Sequence, residues 1–142
     1  MSYHDQYLEN RVLSASPVEL VRLMYRGALD ATNAARQHFA TGDIAERTRA
    51  LNRANGLVTE LVTSLQPPTG AAGQKMEQNL RRLYDYVLHQ LAQAAITQTP
   101  GPLNQADAIL RSLLEAWEKI EPTPEFHEDR EYEPAAAISV SA

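Results

Sequence analysis

Three breaks that a helix cannot run through divide this chain, and they leave four segments of helical period between them. The run QPPTGAAG at 66 to 73 carries paired prolines, which remove backbone donors, and glycines that permit turn geometries. Pro100-Gly101-Pro102 repeats that chemistry, and Thr41-Gly42-Asp43 supplies a glycine stop followed by a capping carboxylate. The first segment opens at Ser16-Pro17-Val18-Glu19, with an N-cap serine, proline at the first helical position and glutamate at the third. Asp43 and Glu46 repeat the capping spacing. Helices are therefore expected over about 17 to 40, 44 to 65, 74 to 98 and 103 to 121. No run has the alternation of a half-buried strand, so the expected fold is an all-α, antiparallel four-helix bundle with short connections.

A length of 142 residues suits one domain that buries roughly two thirds of the surface of its unfolded chain. There is no cysteine, so neither disulfides nor thiolate metal sites contribute and the fold rests on packing. No apolar run approaches the roughly 18 residues of a membrane span, and MSYHDQYLEN lacks the basic and apolar regions of a signal peptide. A cytoplasmic protein without membrane insertion is expected. The net charge of −5 is confined to one place: residues 121 to 142 carry six acids and one base, while the rest of the chain is neutral. That distribution argues against a nucleic-acid surface. The organisation read from these features is an N-terminal segment, 1 to 15, a bundle, 16 to 121, and a mobile, acidic, proline-containing tail, 122 to 142.

At about 100° per residue, Leu51, Ala54, Val58, Leu61, Val62 and Leu65 line one face of the second helix, with Leu57 displaced to its side. On the third, Met76, Leu80, Leu83, Val87, Leu91 and Ala94 form the expected core line. Tyr84, Leu88 and Ala95 widen that line on one side, and Tyr86 lies on the other flank. Ala106, Ile109, Leu110, Leu113, Trp117 and Ile120 do the same on the fourth. The first helix is apolar around most of its circumference. Two readings of the extra width stay open: a central helix touching several neighbours, or a groove in which Leu57, Tyr84 and Leu88 receive another apolar segment. Tyr7, Leu8, Val12 and Leu13 precede the helix start, too far back for a simple hydrophobic staple to account for all of them. Such a segment can span about 25 Å and lie along the bundle as a removable cover.

Catalytic and cofactor patterns are missing. His4, His38, His89 and His127 are scattered, and no Glu-x-x-His, His-x-x-x-His, glycine-rich phosphate loop or nucleophile elbow occurs. No cofactor or metal, and no enzyme activity, is expected. His89 raises the alternative of a phosphotransfer bundle, but its context YDYVLHQLAQ lacks the lysine and glycine that usually follow. A self-associating structural bundle is the other alternative. Arg47, Arg49, Arg53, Arg81 and Arg82 form a solvated surface or one that meets an acidic partner.

Several motifs stand in a recognisable order: Tyr7-x-x-x-x-Val12, Ser14-Ala15-Ser16-Pro17-x-Glu19-Leu20, Leu23-Met24-Tyr25-x-Gly27-Ala28, Gly42-Asp43-Ile44, Leu83-Tyr84-Asp85-Tyr86 with Leu91-x-x-Ala94, and Leu113-Leu114-Glu115-Ala116-Trp117. In these the chain resembles the flagellar secretion chaperone FliS family, over about residues 7 to 120. The resemblance implies a cytosolic chaperone, a four-helix bundle that holds the C-terminal segment of flagellin, prevents premature polymerisation and delivers it to the type III export gate, whose membrane component is FlhA. Some members also bind regulatory flagellar proteins. A monomer or weak homodimer is expected. Tyr7, Val12 and Leu13 become candidates for a cover or gate contact, and Tyr25 and Tyr84 match motif positions. Leu57, Leu61 and Leu88 join them as partner-binding candidates on stripe width.

Overall fold

The computed structural model describes residues 16 to 65 and 70 to 120, and these form four helices: α1 (Pro17–Thr41), α2 (Ile44–Thr63), α3 (Gly70–Thr97) and α4 (Gly101–Glu118). There is no strand among the described residues. The local chemistry places the ends. Glu19 N–H donates to Ser16 Oγ at 3.1 Å, and Pro17 sits where no intrahelical donor is needed. Gly42 takes φ +76°, which lets Asp43 N–H reach His38 O at 3.0 Å and Gly42 N–H reach Phe39 O at 3.3 Å, the Schellman arrangement. Asp43 Oδ1 then accepts from Glu46 N–H at 3.1 Å, so two residues close one helix and open the next.

Several boundaries differ from expectation; α2, for one, ends at Thr63 instead of 65. α3 starts at Gly70 instead of 74, because Gly70 itself adopts φ +76° and Ala71 and Ala72 extend the helix behind it. α4 starts at Gly101 instead of 103, since Pro102 fits the first turn, and it ends at Glu118 instead of 121.

α1 packs against α2 and α4, and α3 packs against the same two, so α1 and α3 lie on one diagonal. The most extensive contact is α1 with α2. Its cause is a line of small residues, Gly27, Ala31 and Ala34, on the side of α1 that meets α2. A Cβ built on Gly27 would stand 2.9 Å from Leu57 Cδ1 and 3.8 Å from an Arg53 guanidinium nitrogen. Around this seam the core is filled by Ala28, Ala35, Ala54, Val58, Val87, Leu91, Leu103 and Leu110, all buried. Each full-sized side chain buried this way is worth about 1.5–3 kcal/mol.

The core line expected on α3 is only half realised. Val87, Leu91 and Ala94 are buried, but Met76 is 65 % and Leu83 36 % exposed, and nothing from Gly70 to Leu83 is buried. The physical reason is length. Tyr25, Tyr84 and Trp117 meet at one level of the bundle. From there α1 runs on for eight residues, about 12 Å, while α3 runs on for fourteen, about 21 Å. α4 stops one residue past Trp117. The first half of α3 has no helix of equal reach to pack on.

The close seam carries a test. Gly27→Ala gains about 1 kcal/mol of helix propensity and displaces only the tip of Leu57, so urea unfolding should show stability within about 1 kcal/mol of the parent. Gly27→Leu overpacks the seam and should cost about 1–3 kcal/mol; an equally stable leucine variant would mean that the helices are not held at this spacing.

Candidate docking surface

The polar centre of the bundle is a pair of phenols. Tyr25 and Tyr84 are 0 % and 1 % exposed, and their hydroxyl oxygens lie 2.5 Å apart across the diagonal. The rings are tilted at 51° with centroids 6.3 Å apart, and the Trp117 ring stands 6.5 Å from that of Tyr25. Burial pushes the pKa of Tyr25 up, the bond to Tyr84 pushes it further, and the Trp117 side chain opposes the shift. Burial likewise raises Tyr84, with its bond to Tyr25 acting in the opposite direction. Both phenols are therefore harder to ionise than a free tyrosine. Leu61 is interior as well, at 1 % exposed. Tyr25, Leu61 and Tyr84, three of the residues expected to meet a partner, thus shape the frame and present no surface on the closed bundle. Leu57 and Leu88 are half-buried at the edge of the core and remain reachable. Tyr7, Val12 and Leu13 lie outside the described residues.

A second polar device closes the end from which α3 projects. Arg22 on α1 is buried, and its guanidinium donates to the Trp117 carbonyl at 3.2 and 3.0 Å and to the Ile120 carbonyl. Both carbonyls lie at the C-terminal end of α4, where the Trp117 oxygen also accepts from the Ile120 N–H at 3.2 Å, so the guanidinium adds hydrogen bonds there and meets the negative end of the helix dipole. Glu19 lies 3.7 Å from the same guanidinium. Nothing in the helical period marked Arg22 for this role; arginine one turn inside an otherwise apolar helix was the available signal.

Two exposed features can receive another chain. The first is a shallow groove of about 220 Å³ on the α1–α2 seam, floored by Ala31, Ala34 and Ala50 and edged by His38, Arg49 and Arg53. The second is an apolar row from the first half of α3 into its middle: Met76, Leu83 and, at 43 % exposed, Tyr86, with Leu80 half-buried beside it. Met76 and Leu83 are two turns apart and share a face. The arginines sort between the features and their surroundings. Arg49 is paired with Glu46, and Arg81 with Glu77 at 2.5 Å, while Arg47 stacks 4.4 Å over the Phe39 ring. Arg82 donates to Asn79 at 3.3 Å. His89 is exposed on α3. Among the described residues no group of three potential metal ligands occurs, and no helix is long and apolar enough to cross a membrane.

The family model described as flagellar protein FliS matches residues 1–124. The chain belongs to the FliS family. It is 30 % identical over 130 residues to the flagellar secretion chaperone FliS of Salmonella typhimurium, covering 91 % of this chain and 94 % of that one. The Bacillus subtilis protein of the same name is 26 % identical, with 82 % and 84 % covered, and FliSB of Pseudomonas aeruginosa is 26 % identical, with 83 % and 91 % covered. The FliS family match spans every described helix, so the phenol pair and the α3 row both fall inside it.

The phenol pair predicts an alkaline signature. Both folded-state pKa values lie above the ordinary value of 10.0, so the stability the pair contributes is complete below that pH and is lost as pH rises beyond it. Urea unfolding at about pH 9 and about pH 11 should show a steeper loss in the parent than in a Tyr25→Phe, Tyr84→Phe double variant. At neutral pH either single phenylalanine should cost about 1–3 kcal/mol by leaving one buried hydroxyl without its partner, and the double variant less than the two singles together.

Proposed function

We propose that this FliS-family chain is a non-catalytic, cytoplasmic export chaperone that binds the C-terminal segment of flagellin and carries it to the flagellar export gate, with FlhA as the gate-side partner. The observation that carries the reading is the uncovered row on α3. Met76 and Leu83 stand partly in water at a cost that a bound apolar segment removes, about 1–2 kcal/mol for Met76 and about 0.5–1 kcal/mol for Leu83 when covered. An extended or helical segment laid along 21 Å of helix, again by the 1.5 Å rise, gains that area while its ordering entropy keeps affinity moderate, which suits a cargo that has to be released. The relatives' shared name, flagellar secretion chaperone, supports the same class of activity.

In this reading Leu57 and Leu88 are contacts at the margins, and Tyr25, Leu61 and Tyr84 hold the frame to which the docking helix belongs. Tyr7, Val12 and Leu13 act as a cover or gate contact. The chain works as a monomer or weak homodimer, with regulatory flagellar proteins as further partners.

Calorimetry with a flagellin C-terminal peptide checks the assignment. Met76→Asp with Leu83→Asp should weaken binding at least about tenfold, or 1.4 kcal/mol, while both exposed positions leave the thermal midpoint nearly unchanged. Leu88→Asp should lower affinity more than stability. Unaltered affinity in the α3 variant would remove the row from the site. Val12→Asp with Leu13→Asp in the full chain separates two roles for the N-terminal segment: tighter peptide binding marks a displaced cover, weaker binding a direct contact. A stable phosphoadduct on His89 after incubation with a phosphodonor would defeat the chaperone reading in favour of phosphotransfer.

A further inference from the structure

The apolar row on α3 has charged edges of unequal kind. On the flank that carries Met76, Leu83 and Tyr86, the neighbouring charges are Lys75 and Arg82, seven residues apart and so on one line of the helix, with exposed Asp85 one turn past Arg82 leaving that edge with a net positive charge. Glu77 lies on the opposite flank, where Arg81 pairs with it. Neither Lys75 nor Arg82 has an ion pair among the described residues, and both are exposed. The surface is thus apolar in the middle and cationic along one edge. Its complement is a segment with spaced aromatic or aliphatic residues and a run of acids.

The chain contains one such segment. Residues 125 to 133 read EFHEDREYE, with Phe126 and Tyr132 set among Glu125, Glu128, Asp129, Glu131 and Glu133. The departure point is fixed. Arg22 holds the carbonyls of Trp117 and Ile120, so the last described residue before the tail, Ile120, stands at the end from which α3 projects. Twenty-two residues follow Ile120, a contour of about 70 Å against the roughly 15 Å between Met76 and Tyr86. The N-terminal segment joins α1 at Ser16, at the same end, and is also apolar, but with two acids and one base in residues 1 to 15 it offers the cationic edge little.

We propose that the acidic tail of this chain docks on the first half and middle of α3, placing Phe126 and Tyr132 against Met76, Leu83 and Tyr86 and its carboxylates beside Lys75 and Arg82. Tethering sets the tail at an effective concentration in the millimolar range, so a contact too weak to persist between separate molecules is populated within one. The docking stands without the chaperone assignment. Only its consequence, that cargo has to displace the tail, rests on that assignment. Because the edge contact is electrostatic and exposed, it weakens as the Debye length falls with salt.

The absence of cysteine makes the test direct: Ala135→Cys in the full chain carries a single nitroxide label. Relaxation enhancement at low salt should broaden the amides of residues 75 to 86 at least about threefold more than those of residues 31, 34 and 50 on the α1–α2 groove, and about 0.5 M salt should abolish the difference. Lys75→Glu with Arg82→Glu should also abolish it while helix content by circular dichroism stays unchanged. Equal broadening of both surfaces, or broadening of the α1–α2 groove alone, overturns the proposal. So does broadening that persists in full when spin-labelled chains of natural isotope abundance are mixed with isotope-enriched chains lacking the spin label, which would make the occupant a second copy. None of these outcomes involves flagellin, so failure here leaves the calorimetric test of the chaperone reading intact.

Discussion

The hydroxyl contact between Tyr25 and Tyr84 is the constraint on which the rest of this bundle depends. It joins the two helices that do not otherwise pack extensively, and it does so at a buried site where a lost partner is expensive. Apolar side chains alone would let α3 slide by a turn with little change in buried area. A phenol pair 2.5 Å apart does not allow that. With Trp117 packed on the same tyrosine, three helices are held at one level, and the unequal lengths beyond it become a property of the fold. The 28 residues of α3 then have to project.

What projects is the part of the molecule suited to work. The α1–α2 seam is tight because Gly27, Ala31 and Ala34 keep the helices close, and a groove floored by alanines has little apolar area to offer. The first half and middle of α3 have Met76, Leu83 and Tyr86 in water and cations along one edge. The same bundle thus separates rigidity from adhesiveness. Arg22 connects the two, since it ties down the end of α4 beside the projecting helix and sets where the acidic tail begins.

The helix count, the caps at Ser16 and Asp43 and the stop at Gly42 were legible from residue chemistry, because capping and turn preferences act within a few residues. The buried faces of α2 and α4 were legible from period for the same reason. Met76 and Leu83 were not. Their period is that of a core line, and period cannot register that the neighbouring helices end first. Tyr84 was misplaced in the opposite sense: it widened the stripe and so read as a flank residue, while the hydrogen bond that draws it inward comes from Tyr25, 59 residues away. Long-range context decided both cases: the reach of the neighbouring helices for Met76 and Leu83, and a distant hydroxyl for Tyr84. The proposed site was therefore visible as an excess of apolar surface, but not as a location.

Hydrogen exchange on the full chain, with and without a saturating flagellin C-terminal segment, tests the central claim most directly. The account predicts added protection concentrated in residues 70 to 83, with the amides from 84 to 94 already protected and little changed. Protection confined to the α1–α2 face, or none in the first half of α3, would contradict it.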